Sequence, residues 1–216
     1  MGLAVLLASS IVGTVTFQGV PPAPARVDMG HNDPKCGVMH PEGATRRTIL
    51  VHDGGLANAF VWLKSGVSGD HPISTGRPVL DQLGCFFVPH VLGVRAGQAI
   101  TIRNSDDTLH SIHARPVLNA EFHIGQPRKG METSRTFDKP ELMIPISCAV
   151  HPWMGAYVSV VDHPYFAVTG RDGTFEIPDV PPGDYEIQVV HEELRSQSRR
   201  ITVGADQKAH ADFVFK

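Results

Sequence analysis

At 216 residues, with 42% hydrophobic and 19% charged side chains, the chain has a globular composition and room for one large or two small domains. The formal net charge is −3 and no tract of five like charges occurs, which argues against a nucleic-acid binder that works by neutralising phosphates. No apolar run approaches the roughly 18 residues needed to span a bilayer, so no transmembrane segment is expected.

In chain order, residues 1–10 read as a truncated secretory leader. The apolar stretch Leu3 to Ala8 is short and lacks a basic flank; the alternative is a first strand. Short alternating segments follow, at Gly13–Phe17, Ala59–Leu63, Gln98–Arg103 and Ala156–Val161. Turn signals separate them, at Asp53-Gly54-Gly55, Ala96-Gly97 and Asn104–Asp107. This is the pattern of an all-β sandwich, and with no convincing 3.6-residue period over twelve residues, helix is expected to be minor. Residues 11–161 are assigned to this first domain.

Proline interrupts the strand pattern at Asp162-His163-Pro164, where a second module, 162–216, is expected to begin. It carries six basic and ten acidic residues, a balance of −4, against thirteen and twelve, +1, in residues 1–161. Ala167–Ile177 reads as a hairpin, and Asp184–Val190 as a strand with Tyr185, Ile187 and Val189 on one face. Further strands are expected at 200–203 and 209–215. Through Thr169-Gly-Arg-Asp-Gly-Thr-Phe-Glu-Ile177 and Val180-Pro-Pro-Gly-Asp-Tyr185 the tail resembles the carboxypeptidase regulatory-like, transthyretin-type β module. That resemblance implies a non-catalytic role, and the module is short enough to lean on the first domain for its core.

Three cysteines leave at least one free, metal-bound or paired between chains. The informative one lies in Ile146-Ser-Cys-Ala-Val-His-Pro-Trp-Met-Gly155, where Cys148, His151 and Met154 recur at two-residue gaps in what reads as a tight loop between strands. A thiolate, two imidazoles and a long axial thioether suit copper. The second imidazole has to come from elsewhere, and His110, which opens a strand after the polar turn 104–107, is the best candidate.

These segments resemble the cupredoxin family. Pro89–Asn104 is similar to the strands ahead of the first copper histidine, and Cys-x2-His-x2-Met is similar to the ligand loop of amicyanins. Longer stretches, including His-Pro-Trp-Met and 162–169, are similar to the plastocyanin-like methylamine-utilisation proteins that carry a regulatory-like tail. The resemblance implies a Greek-key cupredoxin-like sandwich with copper as cofactor, His110, Cys148 and His151 equatorial, and Met154 axial. It implies a type 1 (blue) copper protein for single-electron transport, periplasmic or secreted, and a carrier with no enzymatic activity. The partner would be another redox protein, a cytochrome or dehydrogenase, met through an apolar patch around His151 as the electron's exit. One departure matters: where the family has Asn after the first histidine, this chain has Ser111, which leaves open what ties the two ligand loops together.

Other histidines are read as structural: His90 after Pro89, and His113, near His123 in sequence, on the opposite strand face from His110, a role in a second metal site being the alternative for His113. His40-Pro-Glu42 matches part of a zinc-deaminase signature whose cysteine partner is missing. Trp153 is expected to pack beside the metal loop. Cys36 and Cys85 are expected to form a disulfide joining the N-terminal strands to the sandwich, as an exported chain permits. No nucleophile elbow or phosphate loop occurs. Two other functions fit the sequence: a copper carrier or store, and a structural envelope module with a vestigial metal site.

Overall fold

The computed structural model describes residues 9–46 and 48–216. The expected leader therefore lies outside the described residues, except for Ser9 and Ser10, and Ser10 opens the strand Ser10–Phe17. The described residues are almost entirely β, and their only helices are the two short ones α1 (Met29–Asn32) and α2 (Pro34–Met39). Among them no helix is long and apolar enough to cross a membrane.

The chain divides into two compact units, and the division differs from a single cut near residue 162. The first unit comprises residues up to Pro21, Ile49–Asp70 and His163–Lys216; the second comprises Pro22–Thr48 and His71–Asp162. Residues 11–21 and 49–70, expected in the first domain, thus belong with the C-terminal module. Strand pairing gives the reason. Ser10–Phe17 pairs antiparallel with Thr174–Ile177 and parallel with both Lys208–His210 and Phe213–Phe215. Phe60–Ser65 lies between Phe166–Val168 and Gly183–Val190. The tail strands alone would leave these backbone edges unpaired, and the early segments supply the missing ladders. Ala167–Ile177 is consequently not a hairpin. It turns at Gly170–Gly173, but its two arms pair with different early strands in different sheets. Ile11, Val15, Val61, Leu63, Ile187 and Val189 fill this unit's core.

In the second unit, Glu132–Arg135, Ile100–Asn104, Val79–Leu83 and Phe86–Val88 form one sheet. The other runs Phe122–Gln126, His110–Ala114, Glu141–Ser147, Gly155–Val161, Val91–Arg95. Alternation sets the inward faces: Ile100, Ile102 and Asn104 are buried while Thr101 and Arg103 are less so. The two sheets share one core containing Leu80, Ile102, Ile112 and Val158, so this unit is a two-sheet β-sandwich.

A strap leaves this sandwich between the paired strands Ala25–Val27 and Ala44–Arg46. Asp28 caps α1 by accepting from the N–H of His31, and Asp33 caps α2 by accepting from the N–H of Lys35, with Pro34 opening that helix. The helices touch at their glycines: a Cβ on Gly37 would come within 2.6 Å of Gly30 Cα. Cys36 is disulfide-bonded to Cys85 in the turn between Val79–Leu83 and Phe86–Val88. The bond is the expected one, but Cys36 sits in a helix of the strap and not in an N-terminal strand.

Candidate metal centre

His110 is the first residue of the strand His110–Ala114, held there by a rigid approach. Asn104, fully buried, donates to the carbonyls of Thr108 and Gln126, and its side-chain oxygen accepts the N–H of Asp106. Cys148 follows the strand Glu141–Ser147, and Gly155 begins the next. The loop between them closes on itself, because the N–H of Cys148 reaches the Met154 carbonyl and the N–H of Met154 donates to the His151 carbonyl at 3.0 Å.

This brings the Cys148 thiol and the two imidazoles together. Ligand atoms of His110, Cys148 and His151 all lie within 4.8 Å of one another, all three side chains are buried, and the thiol is free. His110 Nδ1 is 2.9 Å from His151 Nδ1, and Cys148 Sγ is 3.8 Å from His151 Nδ1. Metal–ligand bonds of about 2.0–2.3 Å correspond to donor separations of about 3–4 Å, so the spacing fits a small cation. Met154 is 2% exposed and its backbone closes the loop around His151.

The far nitrogens decide what the near ones can do. His110 Nε2 lies 2.9 Å from Asp106 Oδ2, and His151 Nε2 lies 3.1 Å from Asp33 Oδ2. A carboxylate only accepts, so each Nε2 carries its proton and each Nδ1 presents a lone pair. Two lone pairs 2.9 Å apart repel unless a cation stands between them, a proton or a metal. The donor set therefore fits a bound metal, and a thiolate with two imidazoles favours copper among the candidates.

Burial pushes the Cys148 thiol up, but in the metal-free protein hydrogen bonds with His110 and His151, donated when a proton occupies the Nδ1 side in place of a metal, and from the Ser111 N–H outweigh it and bring its pKa to about 5. Burial likewise pushes His151 down, while bonds to Cys148 and Asp33 raise it overall. Asp33 is held below the usual carboxylate range: burial opposes this, and bonds from Thr108, Lys35 and His151 prevail. Ser111 takes up the linking role left open by the sequence. Its N–H lies 3.4 Å and its hydroxyl 3.7 Å from Cys148 Sγ, and the hydroxyl accepts the Ala149 N–H at 2.8 Å.

The structure corrects one expectation. His151 is fully buried, so its imidazole cannot form an exposed electron exit. The strap covers it: Cys36 Sγ is 3.6 Å and Asp33 Oδ2 3.1 Å from its Nε2. The exposed apolar residues beside the centre are Leu109 and Val150, the chain neighbours of the two histidines. Trp153 packs its ring 5.0 Å from His151 and donates to the Cys85 carbonyl. His90 bonds the Gly155 carbonyl, and His113 stacks on His123 while bonding Glu121, outside the buried cluster.

Asp33 and Asp106 were not singled out by the sequence reading. For Asp106 a signal existed, the polar turn directly before His110. For Asp33 the only local signal was a helix cap before Pro34, which says nothing of a histidine 118 positions away.

The fold defines an all-β protein built of two β units. A sequence profile of the carboxypeptidase regulatory-like domain matches residues 150–216. Among solved structures, a methionine-to-alanine mutant of amicyanin in its copper(I) form is 21% identical, with a TM-score of 0.36 over 47% of this chain and 98% of that one. A purple cupredoxin from Nitrosopumilus maritimus is 20% identical, with a TM-score of 0.33 over 39% and 99%. A copper-containing nitrite reductase from Thermus scotoductus SA-01 is 20% identical, with a TM-score of 0.34 over 46% of this chain and 25% of its own. Comparison with curated proteins finds no match. At these identities and scores the functional argument rests on the donor geometry alone.

Proposed function

We propose that His110, Cys148 and His151, with Met154 as a weaker fourth ligand, hold a type 1 copper ion, and that the protein carries single electrons between redox partners. The observation that carries this reading is the pair of Nδ1 atoms 2.9 Å apart beside a low-pKa thiol, with both Nε2 atoms tied to carboxylates. Bound there, copper supplies a one-electron couple.

The chain's part is to hold the donors still. His110 is fixed by its strand and by Asp106, while Cys148 and His151 are fixed by a loop closed on itself between two strands. A donor set that scarcely moves between oxidation states keeps electron transfer fast. Pro152 has no backbone N–H, so next to His151 one fewer donor competes for the thiolate. Four protein ligands leave no position for a substrate, which supports a carrier over an enzyme. The Cys36–Cys85 disulfide supports a periplasmic or secreted location. The exposed Leu109 and Val150 support docking of a cytochrome or dehydrogenase through apolar contact.

A second reading, a copper carrier or store, draws support from the burial of both imidazoles at 0% exposure and the thiol at 5%. Copper loading followed by a visible spectrum separates the readings. An intense thiolate-to-copper band, lost in Cys148→Ala and reversibly bleached by reductant, is expected. Tight copper(I) binding with no such band would favour the carrier, and no stoichiometric binding would leave a structural module.

A further inference from the structure

Resting on the copper reading, we propose that Asp33, delivered by the disulfide-tied strap, is a positioning residue for the metal centre: it holds the Nε2–H of His151, fixes the tautomer that turns Nδ1 toward the thiolate, and favours the oxidised ion over the reduced one.

The placement is specific. Asp33 Oδ1 accepts the N–H of Lys35 at 2.8 Å and so is committed to capping α2. Oδ2 is left for two donors, Thr108 Oγ1 at 2.6 Å and His151 Nε2 at 3.1 Å. The His151 side chain is 0% exposed and that of Asp33 15%, so the carboxylate stands between the imidazole and solvent. Cys36, three residues on, is bonded to Cys85, and the N–H of Cys85 bonds Asp106, the carboxylate on the other histidine. The disulfide thus ties together the segments that bring a carboxylate to each imidazole.

An imidazole whose far N–H points at a carboxylate is a more basic ligand, and the carboxylate's negative charge stabilises copper(II) more than copper(I). Asparagine at 33 keeps an oxygen to cap α2 but turns an amide toward His151. The imidazole then moves its proton to Nδ1 and accepts with Nε2, the tautomer that cannot bind metal through Nδ1.

Three measurements test this. In metal-free protein, nitrogen NMR of His151 should show Nε2 protonated in the wild type and a shift toward Nδ1–H in Asp33→Asn. In copper-loaded protein, Asp33→Asn should bind copper(II) about 10–100-fold more weakly while copper(I) affinity changes less. Each tenfold change in that ratio raises the reduction potential by about 59 mV. Thr108→Val removes the competing donor and leaves the carboxylate, so the potential should move down. A structural role alone would move both variants the same way. The inference is overturned if the NMR signature is unchanged in Asp33→Asn, or if the two potentials shift together or not at all while the thiolate band persists. Loss of the band in the wild type would instead overturn the copper reading, and the metal-free NMR result would still decide the role of Asp33.

Discussion

Removing the Cys36–Cys85 bond should cost the second unit a defined amount of stability. The two cysteines are 49 positions apart, and on the chain-entropy account a loop of that length constrains the unfolded ensemble by about 4 kcal/mol. Both residues are fully buried, so Cys36→Ala/Cys85→Ala is preferable to serine, which would bury two hydroxyls. With a urea dependence of about 1–3 kcal/mol per molar, the unfolding midpoint should fall by roughly 1.3–4 M. In a Trp62→Phe background, Trp153 fluorescence reads this unit directly, because its indole bonds the carbonyl of Cys85. A fall of less than about 0.5 M would refute the reasoning, since it corresponds to about 1 kcal/mol and means the bond does not constrain the unit as described.

In metal-free protein the Cys148 thiolate, followed by its ultraviolet absorbance, should titrate with a midpoint near 5. Because this pKa is depressed on folding, the associated stability is present above the unfolded value of 9.0 and is lost as pH falls through about 5. His151 acts in the opposite sense: its contribution is present below 6.5 and lost as pH rises through its elevated folded value, so denaturation midpoints should peak between these limits. Ser111→Ala removes the acceptor of the part-buried Ala149 N–H and one donor to the sulfur; it should cost about 0.5–1.5 kcal/mol in urea unfolding and move the Cys148 titration upward. Gly13→Ala would place a Cβ 2.1 Å from the Ala211 carbonyl oxygen and should destabilise the first unit by about 1–3 kcal/mol while leaving the Cys148 titration unchanged.

The fold class and the loop bearing Cys148 and His151 were legible because both are written locally, while His110 was reached through its place at the start of a strand after a polar turn. Alternation at Ile100–Asn104 marks a strand by itself, and three potential ligands at two-residue gaps mark a loop that can converge. The domain boundaries were not legible, because the N-terminal strand Ser10–Phe17 is identical in pattern to a strand of either unit. Only its parallel pairing with Lys208–His210 and Phe213–Phe215, nearly 200 positions away, assigns it. The same holds for Asp33. A carboxylate before a proline reads as a helix cap, which it is, and its second oxygen finds His151 only through the tertiary placement of the strap. The burial of His151 was misjudged for that reason: a loop histidine between Val150 and Pro152 looks exposed until a segment more than a hundred residues earlier is laid over it.

The division of the chain also gives the metal reading an internal control. All the proposed ligands, and both carboxylates behind them, belong to the second unit. The chain has two tryptophans, Trp62 in the first unit and Trp153 in the second, so fluorescence of a Trp62→Phe variant reports the second unit alone. A ligand that binds only the folded state at a free concentration 100 times its Kd adds about 2.7 kcal/mol to the stability of what it binds. Copper at that level should raise the urea midpoint in Trp62→Phe by roughly 1–2.5 M. The Trp62 signal, obtained by difference from the wild type, should stay where it was, because Trp62 and its hydrogen-bonding and stacking partners, Gln188 and His163, belong to the first unit. A gain of equal size in both signals would mean that copper is not confined to the cluster around Cys148. No gain in either would mean that the two facing Nδ1 atoms are bridged by a proton and hold no metal.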